Sequence, residues 1–172
     1  YYRPVFLLWL RVNHMLFGLE AWGWHLMTLL AHVIATLMVY FLAAKLARDH
    51  LTAGVAALIF GLHPVHVESV AWVSGVTEPL LAMLLIPSFL CYVNYRERTQ
   101  QARWWLAASL LLYLLALLAK ETAIVLPIML PIYEWFFRPG AADASGPGAR
   151  GSRIRAPMVR IVPFLVVSAV YL

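Results

Sequence analysis

The sequence predicts an all-α polytopic membrane protein with about six transmembrane helices. The 172 residues are 63% hydrophobic and 12% charged, and their mean hydropathy is +0.80. A soluble domain carries about 25% charged residues, so this composition argues against a water-soluble fold. Because one span takes about 20 apolar residues, the length leaves room for five or six spans joined by short loops.

Residues 1–23 are predicted to be the end of an outer loop that carries an interfacial helix. The apolar stretch 5–17 is interrupted by Arg11, Asn13 and His14, and it is too short to cross a bilayer. We expect this stretch to lie along the membrane surface and to end at Gly18.

Residues 24–137 are predicted to contain five spans, and interfacial aromatic and basic residues mark their limits. Trp22 and Trp24 anchor the start of the first span, and Lys45 marks its end. Pro64 interrupts the second span, and Pro87 is expected to kink the third. The five predicted spans are residues 24–46, 51–62, 80–95, 104–119 and 123–137.

The C-terminal part is predicted to be a loop followed by one more span. Residues 138–157 are rich in Gly, Ala, Pro and Ser and lack apolar periodicity, which indicates a flexible cytoplasmic loop. Residues 158–172 begin a sixth span that the end of the sequence truncates. We therefore expect the chain to be an internal piece of a larger membrane protein.

Lysine and arginine are distributed unevenly between the two sides of the predicted bundle. One side holds only Arg3, Arg11 and Lys120, whereas the other holds Lys45, Arg48, Arg96, Arg98, Arg103, Arg138, Arg150, Arg153, Arg155 and Arg160. Positive residues favour the cytoplasm, so the first set is expected to face the periplasm or a lumen. Since the charges are scattered in loops, contact with phospholipid explains the net charge of +5 better than nucleic-acid binding.

The extracytoplasmic side collects acids and bases that are costly to place at a membrane boundary. With His14 and Glu20, it holds the candidate site residues Arg3, His25, His63, His66, Glu68, Glu78, Lys120 and Glu121. Such a set has the chemistry to bind a phosphate, a divalent metal or both. His63, His66 and Glu68 are the candidate metal ligands, because a helical segment would put both rings on one side.

Each of these residues also has a structural interpretation. A His-Pro pair such as His63-Pro64 often just ends a helix, and Glu68 has the chemistry to cap one. Lys120 and Glu121 would form a local ion pair at a helix hairpin, or Lys120 would hold a phosphate.

A polar stripe runs along the first predicted span. His25, Thr28, His32 and Thr36 share one helical face, which should face the bundle interior. Hydrogen bonding between helices is the favoured interpretation. Haem ligation is disfavoured because no other span carries a buried histidine.

Several ordered motifs resemble one family. They are Tyr2-Arg3-Pro4, Asn13-His14-x-x-Phe17-Gly18, Trp24-His25-Leu26, His32, Phe60-Gly61-Leu62-His63-Pro64-Val65-His66-Val67-Glu68, and Leu118-Ala119-Lys120-Glu121. The family is that of tetratricopeptide-repeat proteins related to protein O-mannosyltransferases, known in animals as TMTC proteins. These are similar to GT-C glycosyltransferases.

The resemblance implies a GT-C-like architecture in which a sugar moves from a polyprenyl-phosphate carrier to a protein or lipid acceptor outside the cytoplasm. By this resemblance, the catalytic acidic residue would lie before Tyr1, and residues 63–78 would line the donor phosphate and any metal. Lys120 would face the departing phosphate. The chain departs from the family at Val76, where the family commonly has a basic residue, and at Glu78, where it has Asp. A downstream repeat array would bind protein partners.

Two alternatives to a glycosyltransferase stay open at this point. The first is a membrane anchor and scaffold for the repeats, without catalysis. The second is a transporter for a lipid-linked solute. A transporter would place ionisable groups near the bilayer midplane, whereas here they gather at one boundary.

Overall fold

The computed structural model describes residues 3–97, 102–137 and 149–171. Within these ranges the chain forms helices and no strand, so the all-α prediction is confirmed. The α-helices are α1 (Pro4–Phe17), α2 (Ala21–Ala47), α3 (His50–Leu62), α4 (Val67–Ala71), α5 (Thr77–Glu97), α6 (Ala102–Ala119), α7 (Leu126–Phe137) and α8 (Ala149–Tyr171). Short 3₁₀ helices cover Pro64–His66, Val73–Val76 and Glu121–Val125.

The described residues contain fewer candidate spans than the sequence predicts. Three helices are long and apolar enough to cross a membrane: Ala21–Ala47, Val73–Glu97 and Ala102–Ala119. A fourth is added if α3 and Pro64–Ala71, bent by 44° at a short break, count as one span. The predicted count of about six is not confirmed, because α7 has 12 residues and the apolar helical stretch Arg160–Tyr171 is also too short.

The predicted loop at residues 138–157 differs from the structure in its second half. Residues 138–148 lie outside the described residues, whereas residues 149–157 form the beginning of α8. Alanine and arginine are good helix formers, so this basic stretch can continue the helix that follows it.

The chain divides into two compact units, Tyr1–Ala123 and Ile124–Leu172. In the first unit, α2 packs against α3 and α5, and α5 packs against α6. Both α2 and α3 bury small residues, which permit close helix packing, namely Ala31, Ala35, Ala53 and Ala57. In the second unit, α7 and α8 bury Leu130, Tyr133, Ile161 and Phe164.

A pair of serines joins α5 to α6. The Ser88 hydroxyl donates to the Ser109 carbonyl oxygen at 2.7 Å, and the Ser109 hydroxyl donates to the Ser88 carbonyl oxygen at 2.8 Å. Both residues are fully buried, and Ser88 directly follows Pro87 inside α5. The two bonds therefore hold the helices together next to the point where proline removes a backbone donor.

An ion pair joins the C-terminal ends of α2 and α5. Lys45 Nζ lies 2.5 Å from Glu97 Oε2, so the two helices run in the same direction. Their N-terminal ends lie at the opposite end of the first unit, where the candidate site is found.

Candidate functional site

The candidate site is built around the break that follows α3. His63 has an extended backbone (φ −66°, ψ 128°), as expected for a residue before proline. The Pro64–His66 turn and α4 then continue at 44° to α3. This turn of the chain brings His63 and His66 back against α2.

Two imidazoles bond to the backbone at this break. The Val65 N–H donates to His63 Nδ1 at 3.2 Å, and His32 Nε2 lies 3.0 Å from the Gly61 carbonyl oxygen. Because a carbonyl oxygen only accepts, His32 carries its hydrogen on Nε2. The bond between His63 and the Val65 N–H is therefore a local contact of the kind expected where a His-Pro pair ends a helix.

His66 lies at the centre of a cluster of rings. Its ring centroid is 4.5 Å from that of Phe60, 5.2 Å from that of His32 and 6.3 Å from that of His63. His32 also stacks on Phe60 at 5.8 Å. The imidazole of His66 is half-buried and is held by rings from α2, α3 and the break.

Two cavities meet at His32 and His66. An open groove of about 750 Å³ is lined by Trp22, His25, Leu26, Leu29, His32, Gly61, Leu62, His63, His66, Val67, Val70 and Ala71. A smaller cavity of about 250 Å³ is lined by His32, Phe60, His66, Glu78, Pro79, Leu81, Ala82, Leu85 and Ile86. The groove is mostly apolar with imidazoles along it, whereas the small cavity contains a carboxylate.

Two ion pairs extend the site from Glu78 to the N-terminal end of α1. Lys120 Nζ pairs with Glu78 Oε1. The next residue, Glu121, forms a bidentate pair with Arg3, in which Nη2 donates at 2.7 Å and Nε at 3.0 Å. Lys120 and Glu121 thus have separate partners from distant parts of the chain, and the interpretation of a local pair between them is wrong.

The pKa of the Glu121 carboxyl is lowered from its usual 4.5. The main cause is a hydrogen bond from its own backbone N–H, and the bond from Arg3 adds to it. Hydrogen bonds to a carboxylate favour its charged form. Glu121 is therefore an anion that anchors the Arg3 guanidinium.

The structure brings most of the sequence-predicted site residues into this region. His25, His63 and His66 line the groove, Glu78 lines the small cavity, and Arg3, Lys120 and Glu121 belong to the ion pairs. Glu68 stands apart: it is exposed and lines neither cavity.

The metal site predicted at His63, His66 and Glu68 has no counterpart among the described residues. No three His, Cys, Asp or Glu side chains in residues 3–97, 102–137 and 149–171 come together in a way that would hold a metal ion. The imidazole of His63 uses Nδ1 for the Val65 N–H, which removes one of its two ligating nitrogens.

His32 is a site residue that the sequence reasoning assigned only to helix packing. Its bond to Gly61 does join two helices, as the polar stripe predicts, but the ring also lines both cavities. Thr28 and Thr36 instead bond within α2, to the Trp24 and His32 carbonyl oxygens. The sequence feature that indicates a site role for His32 is its position on the same face of α2 as His25.

Val76, which stands where the family commonly has a basic residue, occupies an interior position in this chain. Val76 is fully buried and lines neither cavity. Its neighbour Gly75 lies so close to α4 that a Cβ there would be 2.9 Å from the Glu68 carbonyl oxygen and from Ser69 Cα. The absence of a cation at Val76 therefore removes no charge from the walls of the two cavities.

The fold and site define an α-helical membrane protein with a polar site at one end of its first unit. The model of the dolichyl-phosphate-mannose-protein mannosyltransferase family matches residues 3–141, so the chain belongs to that family. The resemblance to the TMTC proteins drawn from the sequence motifs is confirmed by individual relatives.

Three curated relatives illustrate the similarity. Protein O-mannosyl-transferase TMTC3 of Homo sapiens is 29% identical over 140 residues, covering 81% of this chain and 15% of the relative. Protein O-mannosyl-transferase TMTC2 of Homo sapiens is 31% identical over 138 residues, covering 78% and 16%. Protein O-mannosyl-transferase Tmtc1 of Drosophila melanogaster is 32% identical over 124 residues, covering 72% and 14%.

The chain spans about 15% of the length of the curated relatives that it matches. No solved structure matches it.

Proposed function

We propose that this chain is part of the membrane core of a glycosyltransferase that moves a mannosyl group from a polyprenyl-phosphate carrier to a hydroxyl group of a protein acceptor. The observation that carries the proposal is the junction of an apolar groove with a cavity that holds His66 and Glu78, next to Lys120. Membership of the mannosyltransferase family and the names of the relatives support the choice of sugar.

The two cavities suit the two parts of such a carrier. A prenyl chain gains free energy by leaving water, and Leu26, Leu29 and Val67 offer it an apolar wall. A phosphate needs hydrogen-bond donors and positive charge. The His66 imidazole is placed to supply an N–H donor and Lys120 to supply the charge. Lys120 is paired with Glu78 in the structure, so a bound phosphate would compete with this carboxylate for the ammonium group.

The proposed reaction is one in-line displacement. The acceptor oxygen attacks the anomeric carbon of the sugar, and the bond from that carbon to the phosphate oxygen breaks with its electron pair going to the phosphate. The hydroxyl proton goes to a carboxylate base, which the family resemblance places before Tyr1. Lys120 would stabilise the negative charge that develops on the leaving phosphate, and the configuration at the sugar carbon would invert.

The site is proposed to lie on the extracytoplasmic side, of a bacterial inner membrane or of the endoplasmic reticulum. The support is the unequal distribution of lysine and arginine. Lys45 and Glu97 lie at the opposite end of the same unit, which would then face the cytoplasm. Partners would be the bilayer, the lipid-linked sugar and the protein acceptor, with tetratricopeptide repeats elsewhere in the protein to recruit that acceptor.

One observation favours a second function, a membrane anchor and scaffold without catalysis. Two of the cations assigned to this end, Arg3 and Lys120, are paired with carboxylates of the same chain. Permanent ion pairs of this kind would only brace the ends of the helices.

The test uses the full-length protein reconstituted in vesicles with polyprenyl-phosphate mannose and a serine- and threonine-containing peptide mixture. Mannose transfer is compared between wild type, Lys120→Ala and Lys45→Ala. Lys45→Ala is the matched control, because it removes the same side chain from an ion pair at the other end of the unit.

We expect Lys120→Ala to lower transfer roughly a hundredfold, the scale for one group that stabilises a developing anion, and Lys45→Ala to keep wild-type transfer. Equal transfer in all three proteins would remove Lys120 from the mechanism. If the wild type transfers no sugar from any polyprenyl-phosphate donor, the scaffold function replaces the enzyme.

A further inference from the structure

The break at Pro64 separates two backbone groups that a continuous helix would join. In an α-helix the Val65 N–H would donate to the Gly61 carbonyl oxygen, four residues earlier. Here the N–H donates to His63 Nδ1, and the carbonyl oxygen accepts from His32 Nε2. Two imidazoles therefore replace this hydrogen bond, one at each of its two ends.

The two replacements differ in what they connect. His63 bonds two residues along the chain, so its contact stabilises only the local turn. His32 is 29 residues from Gly61 and reaches it from another helix. The bond of His32 therefore ties the last turn of α3 to the middle of α2.

Burial makes this bond hard to replace. His32 is only 8% exposed, so losing the contact would leave the Gly61 carbonyl oxygen and the imidazole without their partner in a mostly apolar site. The backbone at Gly61 also lies close to a side chain of α2, since a Cβ on Gly61 would lie 2.9 Å from Thr36 Cγ2. The distance between α2 and the break is thus set by the hydrogen bond of His32 and by the tight contact of Thr36, which lie one helical turn apart on α2.

We propose that His32 is a positioning residue for His66 in the transfer reaction, an inference that rests on the proposed function. The bond to Gly61 fixes where α3 ends, and the His66 ring packs on both Phe60 and His32. His32 thereby holds the imidazole of His66 at the boundary of the groove and the small cavity. His66 in turn meets the phosphate of the donor.

The test compares three changes at His32 in the full-length protein in vesicles. His32→Gln keeps an N–H donor at the reach of Nε2, His32→Asn keeps the amide but shortens that reach, and His32→Leu removes the donor. Thr28→Val is the matched control, because Thr28 is also buried on α2 and its hydroxyl bonds only within that helix.

Two readouts are measured: the KM for polyprenyl-phosphate mannose alongside kcat, and amide hydrogen exchange of residues 61–72. We expect His32→Leu and His32→Asn to raise the donor KM about tenfold, the scale of one lost hydrogen bond, with kcat changed less. The same two variants should exchange faster at residues 61–72, while His32→Gln and Thr28→Val stay close to wild type.

The proposal is overturned if His32→Asn matches wild type in both readouts, or if His32→Gln is as impaired as His32→Asn. It is also overturned if exchange rises across all helices, which would indicate a general loss of folding. If the wild type transfers no mannose, the proposed function fails. Unchanged exchange at residues 61–72 in His32→Asn would then overturn the positioning role independently.

Discussion

Lys120 and Glu78 form an ion pair that joins the end of α6 to the first turn of α5, 42 residues away in the chain. The Lys120 side chain is 17% exposed and that of Glu78 is 48% exposed. The lysine is thus held mainly by the protein, whereas the carboxylate is open to solvent. An incoming anion would reach Lys120 by displacing Glu78.

The first prediction concerns the strength of this ion pair. We expect a double-mutant cycle with Lys120→Met and Glu78→Gln to give a coupling of about 0.2–1 kcal/mol in the free energy of unfolding, because one partner is well solvated. Chemical denaturation in detergent micelles measures it, and added salt should weaken it.

The same cycle at Lys45 and Glu97 is the control for this prediction. It should give a coupling of similar size, since the two side chains of that pair are both partly exposed to solvent, and about equally so. A coupling of several kcal/mol at Lys120 and Glu78 would contradict the expectation that the pair can open for a ligand.

The second prediction is a pH dependence that arises from Glu121. Its pKa in the folded protein lies below the usual 4.5, so the carboxylate contributes stability that is fully present above pH 4.5 and is lost as pH falls through the lower folded value. We expect the stability difference between wild type and Glu121→Gln to be constant at neutral pH and to shrink below pH 4.5.

Thermal unfolding of the two proteins from about pH 3 to about pH 7 measures this difference. The pKa of Asp49 is also lowered, by bonds from the Thr52 hydroxyl and N–H. Its contribution is common to both proteins and cancels. A stability difference that persists unchanged at the acid end would contradict the assignment to Glu121.

The third prediction concerns the serine pair between α5 and α6. Ser88 and Ser109 exchange hydrogen bonds with each other's carbonyl oxygens. Hydrogen bonds between membrane helices average about 0.6 kcal/mol and reach about 1.7 kcal/mol. Because both hydroxyls are buried and bonded at once, we expect the coupling of Ser88→Ala and Ser109→Ala to fall in the upper half of that range.

This coupling is measured by unfolding the single and double alanine variants in micelles. Ser74→Ala, at an exposed position, is a control that should leave stability unchanged. Additive effects of the two alanine substitutions would show that the serines act independently.

The helical class and the long helices could be predicted from hydropathy, because the candidate spans that contain α2, α5 and α6 each include an apolar stretch long enough to cross a membrane. The number of spans could not, since α3 alone has 13 residues and only its continuation through the Pro64 break makes a candidate span. Hydropathy does not report whether a chain continues or turns back at such a break.

Most of the ionisable residues that line the two cavities or form the ion pairs beside them could be selected from the sequence, because ionisable groups are rare in so apolar a chain. Their partners could not. Lys120 and Glu121 are adjacent, and one of the two interpretations drawn from the sequence paired them with each other, whereas in the fold they pair with Glu78 and Arg3. Such choices depend on which elements meet, and this information is absent from local spacing.

The fourth prediction compares two glycines that differ in their surroundings. Gly75 faces backbone atoms of α4 at 2.9 Å from a Cβ position, and backbone cannot rotate away as a side chain can. Gly54 lies inside α3 with nothing within 4 Å of its Cβ position. We therefore expect Gly75→Ala to destabilise the protein by about 1–3 kcal/mol, the usual cost of overpacking. Gly54→Ala should be neutral or stabilising by up to about 1 kcal/mol, through helix propensity.

Unfolding in micelles gives both stability values, and mannose transfer gives the functional consequence. Because α4 and the Val73–Val76 turn lead from His66 to Glu78, a shift of α4 away from Gly75 should also change the spacing of these two groups. We expect transfer by Gly75→Ala to fall more than its folded fraction does, whereas transfer by Gly54→Ala follows its folded fraction. Loss of transfer in strict proportion to unfolding in both variants would mean that the contact at Gly75 supports the fold without setting the geometry of the site.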